Sequence, residues 1–83
     1  MKYRKKPVVI QAIQLDESTL SQDEIIRWSD NKILKGPDGS LIIPTLEGNM
    51  RAVSGDFVIR GVKGEYYPCK PDIFYATYET YDI

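Results

Sequence analysis

Met50-Arg51-Ala52-Val53-Ser54-Gly55-Asp56-Phe57-Val58-Ile59-Arg60-Gly61-Val62-Lys63-Gly64-Glu65-Tyr66-Tyr67-Pro68-Cys69 decides the fold. Three short runs with β-branched and aromatic side chains stand here: Met50 to Val53, Phe57 to Arg60 and Tyr66 to Cys69. Each is too short for a helix and has the composition of a strand. Ser54-Gly55-Asp56 and Val62-Lys63-Gly64-Glu65 supply turn residues between them. Parallel strands need a crossover of about a dozen residues, and no such stretch separates these runs. They read as an antiparallel meander.

The pattern continues upstream. Lys32-Ile33-Leu34-Lys35 and Ser40-Leu41-Ile42-Ile43 flank the turn sequence Gly36-Pro37-Asp38-Gly39. Pro44 has no amide donor, so the second of these strands is an edge or ends there. Glu47-Gly48-Asn49 turns into Met50. Pro7 to Leu15 reads as a strand with apolar groups on both faces: Val9, Ile13 and Leu15 on one, Val8, Ile10 and Ala12 on the other. Ser21-Gln22-Asp23-Glu24 matches a capping box, with Leu20 and Ile25 as its hydrophobic staple. It predicts a helix from about 22 to 30 that buries Ile25, Trp28 and Ile26. Downstream, Pro71 opens a short helical turn over Lys70 to Phe74. Ala76 to Tyr81 alternates and reads as a last strand, placed to pair with the first. The expected fold is α+β in one domain, residues 1–83. One short helix packs on a bent antiparallel sheet, partly open and barrel-like, of about five to seven short strands.

Composition excludes several functions. The 83 residues include no histidine and one cysteine, Cys69. There is no Ser-His or Cys-His pair, no His-ligated metal, no cysteine cage and no intrachain disulfide. No apolar run approaches the roughly 18 residues that span a bilayer, and Met1 to Lys6 is not followed by a signal-peptide core. The expectation is a cytoplasmic domain with no membrane contact, no cofactor, no metal and no catalysis. With a mean hydropathy of −0.34 the chain is globular in composition. A domain this short buries only about 60% of its unfolded surface, so it needs a tight sheet core or a homodimer that shares one.

The net charge of −1 is a cancellation. Residues 1–6 hold four basic side chains, residues 7–49 are acidic, residues 50–70 are mildly basic, and residues 71–83 hold three acids. General nucleic-acid binding needs a strong overall basic excess and is not expected. One local anion site remains open. Arg51, Arg60, Lys63 and Lys70 with Tyr66 and Tyr67 would suit a nucleotide-type anion if they converged, through bidentate guanidinium contacts, loop amides and ring stacking. The plainer reading is a solvated sheet edge with hairpin glycines. Lys2, Arg4, Lys5 and Lys6 could meet phosphates or an acidic partner, or simply solubilise the strand that follows. Tyr75, Tyr78 and Tyr81 are interface candidates, set against ordinary cross-strand packing. Cys69 has no base to activate it and reads as a small buried residue. Asp56 and Glu65 could form an acid/base pair across strand ends, although Asp after Gly more often caps its own turn.

Two stretches resemble a known family. Tyr3-Arg4-Lys5-Lys6-Pro7-Val8-Val9-Ile10-Gln11-Ala12-Ile13-Gln14 is similar to the opening of short phage and prophage proteins named PGDYG after a Pro-Gly-Asp-Tyr-Gly stretch. Ser54 to Phe74, followed by Thr77-Tyr78-Glu79, resembles their closing signature. Here Ser54 stands for the Pro and Phe57 for the Tyr. The likeness covers about 40 of the 83 positions, at both ends. It implies a phage or prophage accessory protein in a bacterial cytoplasm, and no particular activity. The expected function is non-catalytic binding, as counter-defence or host modulation. Either a small anionic nucleotide-type signal is sequestered, or the tyrosine-rich surface binds and modulates a host or phage enzyme.

Overall fold

The computed structural model describes residues 1–4 and 7–81. The elements are β1 (Gln11–Gln14), α1 (Thr19–Trp28), β2 (Leu34–Lys35), β3 (Leu41–Thr45), β4 (Gly48–Ala52), β5 (Phe57–Arg60), β6 (Tyr66–Cys69) and α2 (Pro71–Thr77). A 3₁₀ turn at Pro37–Gly39 joins β2 to β3. The fold is α+β, with six antiparallel strands among the described residues. They form two three-stranded sheets, ordered β1-β5-β6 and β2-β3-β4. β6 runs beside β3 and β4 without a ladder between them, so the meander does not close into a barrel.

The register explains which side chains are buried. Ile13, Val58 and Pro68 face the same side of the first sheet, as do Arg60 and Tyr66. Leu41 pairs with Ala52 and Ile43 with Met50 in the second sheet. The two inner faces and α1 enclose Leu15, Ile25, Ile33, Leu41, Ile43, Ala52, Val58 and Tyr66. Ile25 is fully buried, and Trp28 and Ile26 pack partly against this core, as the helical spacing predicts. Trp28 meets Tyr66 edge to face, with ring centroids 5.3 Å apart. Ile59 points the other way and is also fully buried, on the face where Phe57 meets α2.

Several sequence expectations need correction. The helix begins one turn early, with Ser18 as its N-cap instead of Ser21. The Asp16 carboxylate accepts from both the Ser18 amide and the Ser18 hydroxyl, and Ser18 Oγ accepts from the Ser21 amide. Ser21 is thereby freed to tie the helix to β1, accepting from the Asp16 amide and donating to the Gln14 carbonyl. The staple does not form, since Leu20 is 79% exposed.

The first strand is shorter than the Pro7 to Leu15 run, because its partner β5 ends at Arg60 opposite Gln11. It pairs with β5 and not with the end of the chain. Residues 76–81 form no strand. Pro71 starts a helix that continues to Thr77, longer than the single turn expected. Phe74 and Tyr78, four residues apart, meet at its C-terminal end with ring planes tilted by 35°, and this helical spacing outweighs the alternation that resembles a strand. Gly64 has a φ of +81° in the tight turn between β5 and β6, a conformation that glycine adopts without strain.

Candidate functional site

The basic side chains do not all assemble around the tyrosines: Arg60 pairs with Tyr66 across the β5-β6 ladder, and the others stand elsewhere. Arg51 sits opposite Ile42 on β4, on the face of its sheet away from the core strands' buried residues. Arg60 and Lys63 are exposed at the end of β5 and in the following turn. Lys70 lies 3.3 Å from the buried Asp56 carboxylate. Asp56 Oδ2 also accepts from the Val53 amide at 3.0 Å, so this aspartate braces its own turn. Tyr66 and Tyr67 are neighbours on β6 and therefore face opposite sides of the sheet. Tyr66 enters the core and Tyr67 goes outward. Among the basic cluster near the start, Lys2 and Arg4 are exposed, and Lys5 and Lys6 lie outside the described residues.

Asp56 and Glu65 do not form a pair. The β5-β6 register puts Asp56 at the Cys69 end of the ladder and Glu65 at the Gly61 end. Burial first, and then the Asp56 and Asp72 carboxylates, push the half-buried Cys69 thiol above its ordinary value. That environment favours the neutral thiol over the nucleophilic thiolate. Among the described residues no group of three or more Cys, Asp or Glu side chains could hold a metal ion. No described helix is long and apolar enough to cross a membrane.

Two surfaces stand out. The first is aromatic. Phe74 of α2 stacks on Phe57 of β5 with centroids 3.8 Å apart and planes 7° from parallel. Tyr75 stands edge-on to both rings, 5.4 Å from Phe57 and 6.0 Å from Phe74. It is nevertheless 66% exposed. Tyr78 lies 5.1 Å from Phe74. Burial, followed by the influence of the neighbouring Tyr78 phenol, pushes the Tyr67 phenol up to about 12. Ile73 and Tyr81 are exposed alongside. The structure thus brings Tyr67, Tyr75 and Tyr78 onto one face, leaves Tyr81 exposed beyond α2, and separates Tyr66 from them.

The second surface is a cleft of about 750 Å³ where the two sheets diverge. One wall is the β3-β4 hairpin with Ile43, Leu46 and Met50; the other is Gly64 to Tyr67. Ile33 belongs to its lining, and Lys32, Glu47 and Glu65 supply its charges. None of Arg51, Arg60, Lys63 and Lys70 lines it. The sequence reading missed this cleft. Its one local signal is Leu46, an apolar residue at the tip of a two-residue hairpin turn, where polar residues are usual.

Comparison with family models, with curated proteins and with solved structures finds no match to the chain.

Proposed function

We propose that the chain acts by non-catalytic binding of a protein partner, with the aromatic face of α2 as its contact surface. The observation that carries this reading is Tyr75. A large ring is two-thirds exposed yet braced edge-on against Phe57 and Phe74. Bracing removes much of the rotamer freedom that would otherwise be lost on binding. Rigid, partly exposed tyrosines beside a packed aromatic base are typical interface anchors. The resemblance to phage and prophage proteins favours a host or phage enzyme in the bacterial cytoplasm as the partner, with counter-defence or host modulation as the outcome. Absence of histidine from the sequence and the unactivated Cys69 support a role without catalysis.

The other reading is sequestration of a small anionic nucleotide-type ligand by Arg51, Arg60, Lys63, Tyr66, Tyr67 and Lys70. It needs these groups in one place. Arg51 and Lys70 stand apart, and Lys70 is already engaged by Asp56. The protein reading is preferred on that ground. A thermal-shift panel of cyclic dinucleotides and ADP-ribose derivatives separates the two. Stabilisation of several kcal/mol at saturating ligand would favour sequestration, and a flat panel favours the protein partner.

A further inference from the structure

The chain leaves an apolar segment uncovered at the same end of the molecule as an unfilled apolar cleft. β1 begins at Gln11, opposite Arg60, where β5 ends. Residues 7–10, which precede β1, therefore lie beyond the Arg60 end of β5, the end that carries the Gly61 to Glu65 turn. Val8 and Val9 are 49% and 64% exposed there, and Tyr3 further out is 89% exposed. By sequence, Val8 and Val9 belong to a strand with apolar groups on both faces, which expects cover on both. Among the described residues that cover is only partial. Gly64 and Glu65, in the turn at that same end of the sheet, belong to one wall of the cleft.

The chemistry of segment and cleft is complementary. The cleft lining is mostly apolar, with Leu46 wholly exposed and Met50 partly so. Its charged groups are Glu47 and Glu65 against Lys32 alone. The segment carries Lys2, Arg4, Lys5 and Lys6 with Tyr3, Val8 and Val9. The walls also limit how anything can bind. The bond from the Gly61 amide to the Glu65 carbonyl sets the alternation of the β5-β6 ladder. That alternation turns the main-chain groups of Tyr66 and Pro68 toward the free edge of β6. Pro68 has no amide, so a continuous added strand is blocked and side chains must carry recognition.

We infer that the cleft is filled by a second copy of this chain: each copy lays the segment carrying Tyr3, Val8 and Val9 into the cleft of the other. Because segment root and cleft share one end, a two-fold axis through that end satisfies both contacts at once and closes the assembly. Such an exchange adds buried apolar surface to a small core that no intrachain disulfide supports.

The test is the mass in solution of the whole chain at roughly 100 μM, where a micromolar dimer is saturated. Twice the 9.5 kDa chain mass is expected. Leu46→Glu should give a folded monomer, because Leu46 packs against nothing in its own chain. Folding is checked by circular dichroism. A second measurement mixes a Val9→Cys chain with a Leu46→Cys chain, both carrying Cys69→Ser. A disulfide between the two different chains is expected under mild oxidation. A monomeric wild type overturns the inference. So does a dimer that survives Leu46→Glu, or a mixture that forms no Val9–Leu46 cross-link.

Discussion

The Lys70 ammonium stands 3.3 Å from the buried Asp56 carboxylate and so joins the turn before β5 to the start of α2. These two residues come from the two halves of the stretch Ser54 to Phe74. Asp56 holds the Val53 amide as well. Asp56→Ala removes both contacts and strands a partly buried amide, and should lower stability by about 2 kcal/mol. Lys70→Met should cost about 1 kcal/mol or less, because the ammonium is largely in water. Urea denaturation of the two variants checks the order. Equal losses would contradict the bracing role of Asp56.

The aromatic face separates stability from binding. Phe74 stacks on Phe57 and is half-buried, so Phe74→Ala should cost about 2 kcal/mol or more. Tyr75 is mostly exposed, and Tyr75→Ala should cost about 1 kcal/mol or less. Melting temperatures of the two variants decide this. A Tyr75→Ala loss as large as that of Phe74→Ala would mean that Tyr75 is a core residue and not a contact held ready.

Helix α1 offers a test of its start. Ser18→Ala should lower stability by about 1 kcal/mol, the usual cost of losing an N-cap. Glu24→Ala should leave stability within about 0.5 kcal/mol, since no capping box uses its carboxylate. Chemical denaturation of each checks the pair. A larger effect at Glu24 would restore Ser21 as the cap.

Burial first, and then the neighbouring Tyr78 phenol, push the Tyr67 phenol up to about 12 from an ordinary value of 10.0. The folded state therefore keeps a proton that the unfolded state releases first. Stability from this group is fully present below pH 10 and is lost as pH rises through about 12. Ultraviolet titration of the phenolates should show one tyrosine ionising late. Tyr67→Phe should remove that late phase and leave the others. A late phase that persists in Tyr67→Phe would assign it to another ring.

Much of the fold was legible in the residues, and the reasons are local. Phe57 to Arg60 and Tyr66 to Cys69 became paired strands because the Gly64 turn and the apolar runs agree on one register. The helix was legible from Ile25 and Trp28, but its start was not. Ser18 and Ser21 compete as caps, and the Asp16 carboxylate, which decides between them, acts through space. The end of the chain misled because Ala76 to Tyr81 alternates while Phe74 and Tyr78 also sit at helical spacing. Only the stacked Phe57 shows which periodicity wins. The sites were less legible. Strand alternation would set Tyr75 and Tyr78 on opposite faces, yet α2 brings both against Phe74, while Tyr66 and Tyr67 divide between two faces, a consequence of adjacency in a strand. Arg51 and Lys70 are separated because Arg51 is on β4 of one sheet, whereas Lys70 follows β6 of the other at the start of α2 and is claimed by Asp56. The cleft arises where two sheets fail to close, which no single run of residues encodes.

Contact through the aromatic face is tested most directly by affinity capture from a bacterial host lysate, with wild type, Tyr75→Ala and Leu46→Glu compared side by side. The captured protein is then purified and its affinity for each variant measured. The expected result is a partner whose affinity falls by about tenfold or more with Tyr75→Ala, as for an interface anchor, and is little changed by Leu46→Glu. A partner held equally well by Tyr75→Ala and wild type would contradict the aromatic face as the contact surface.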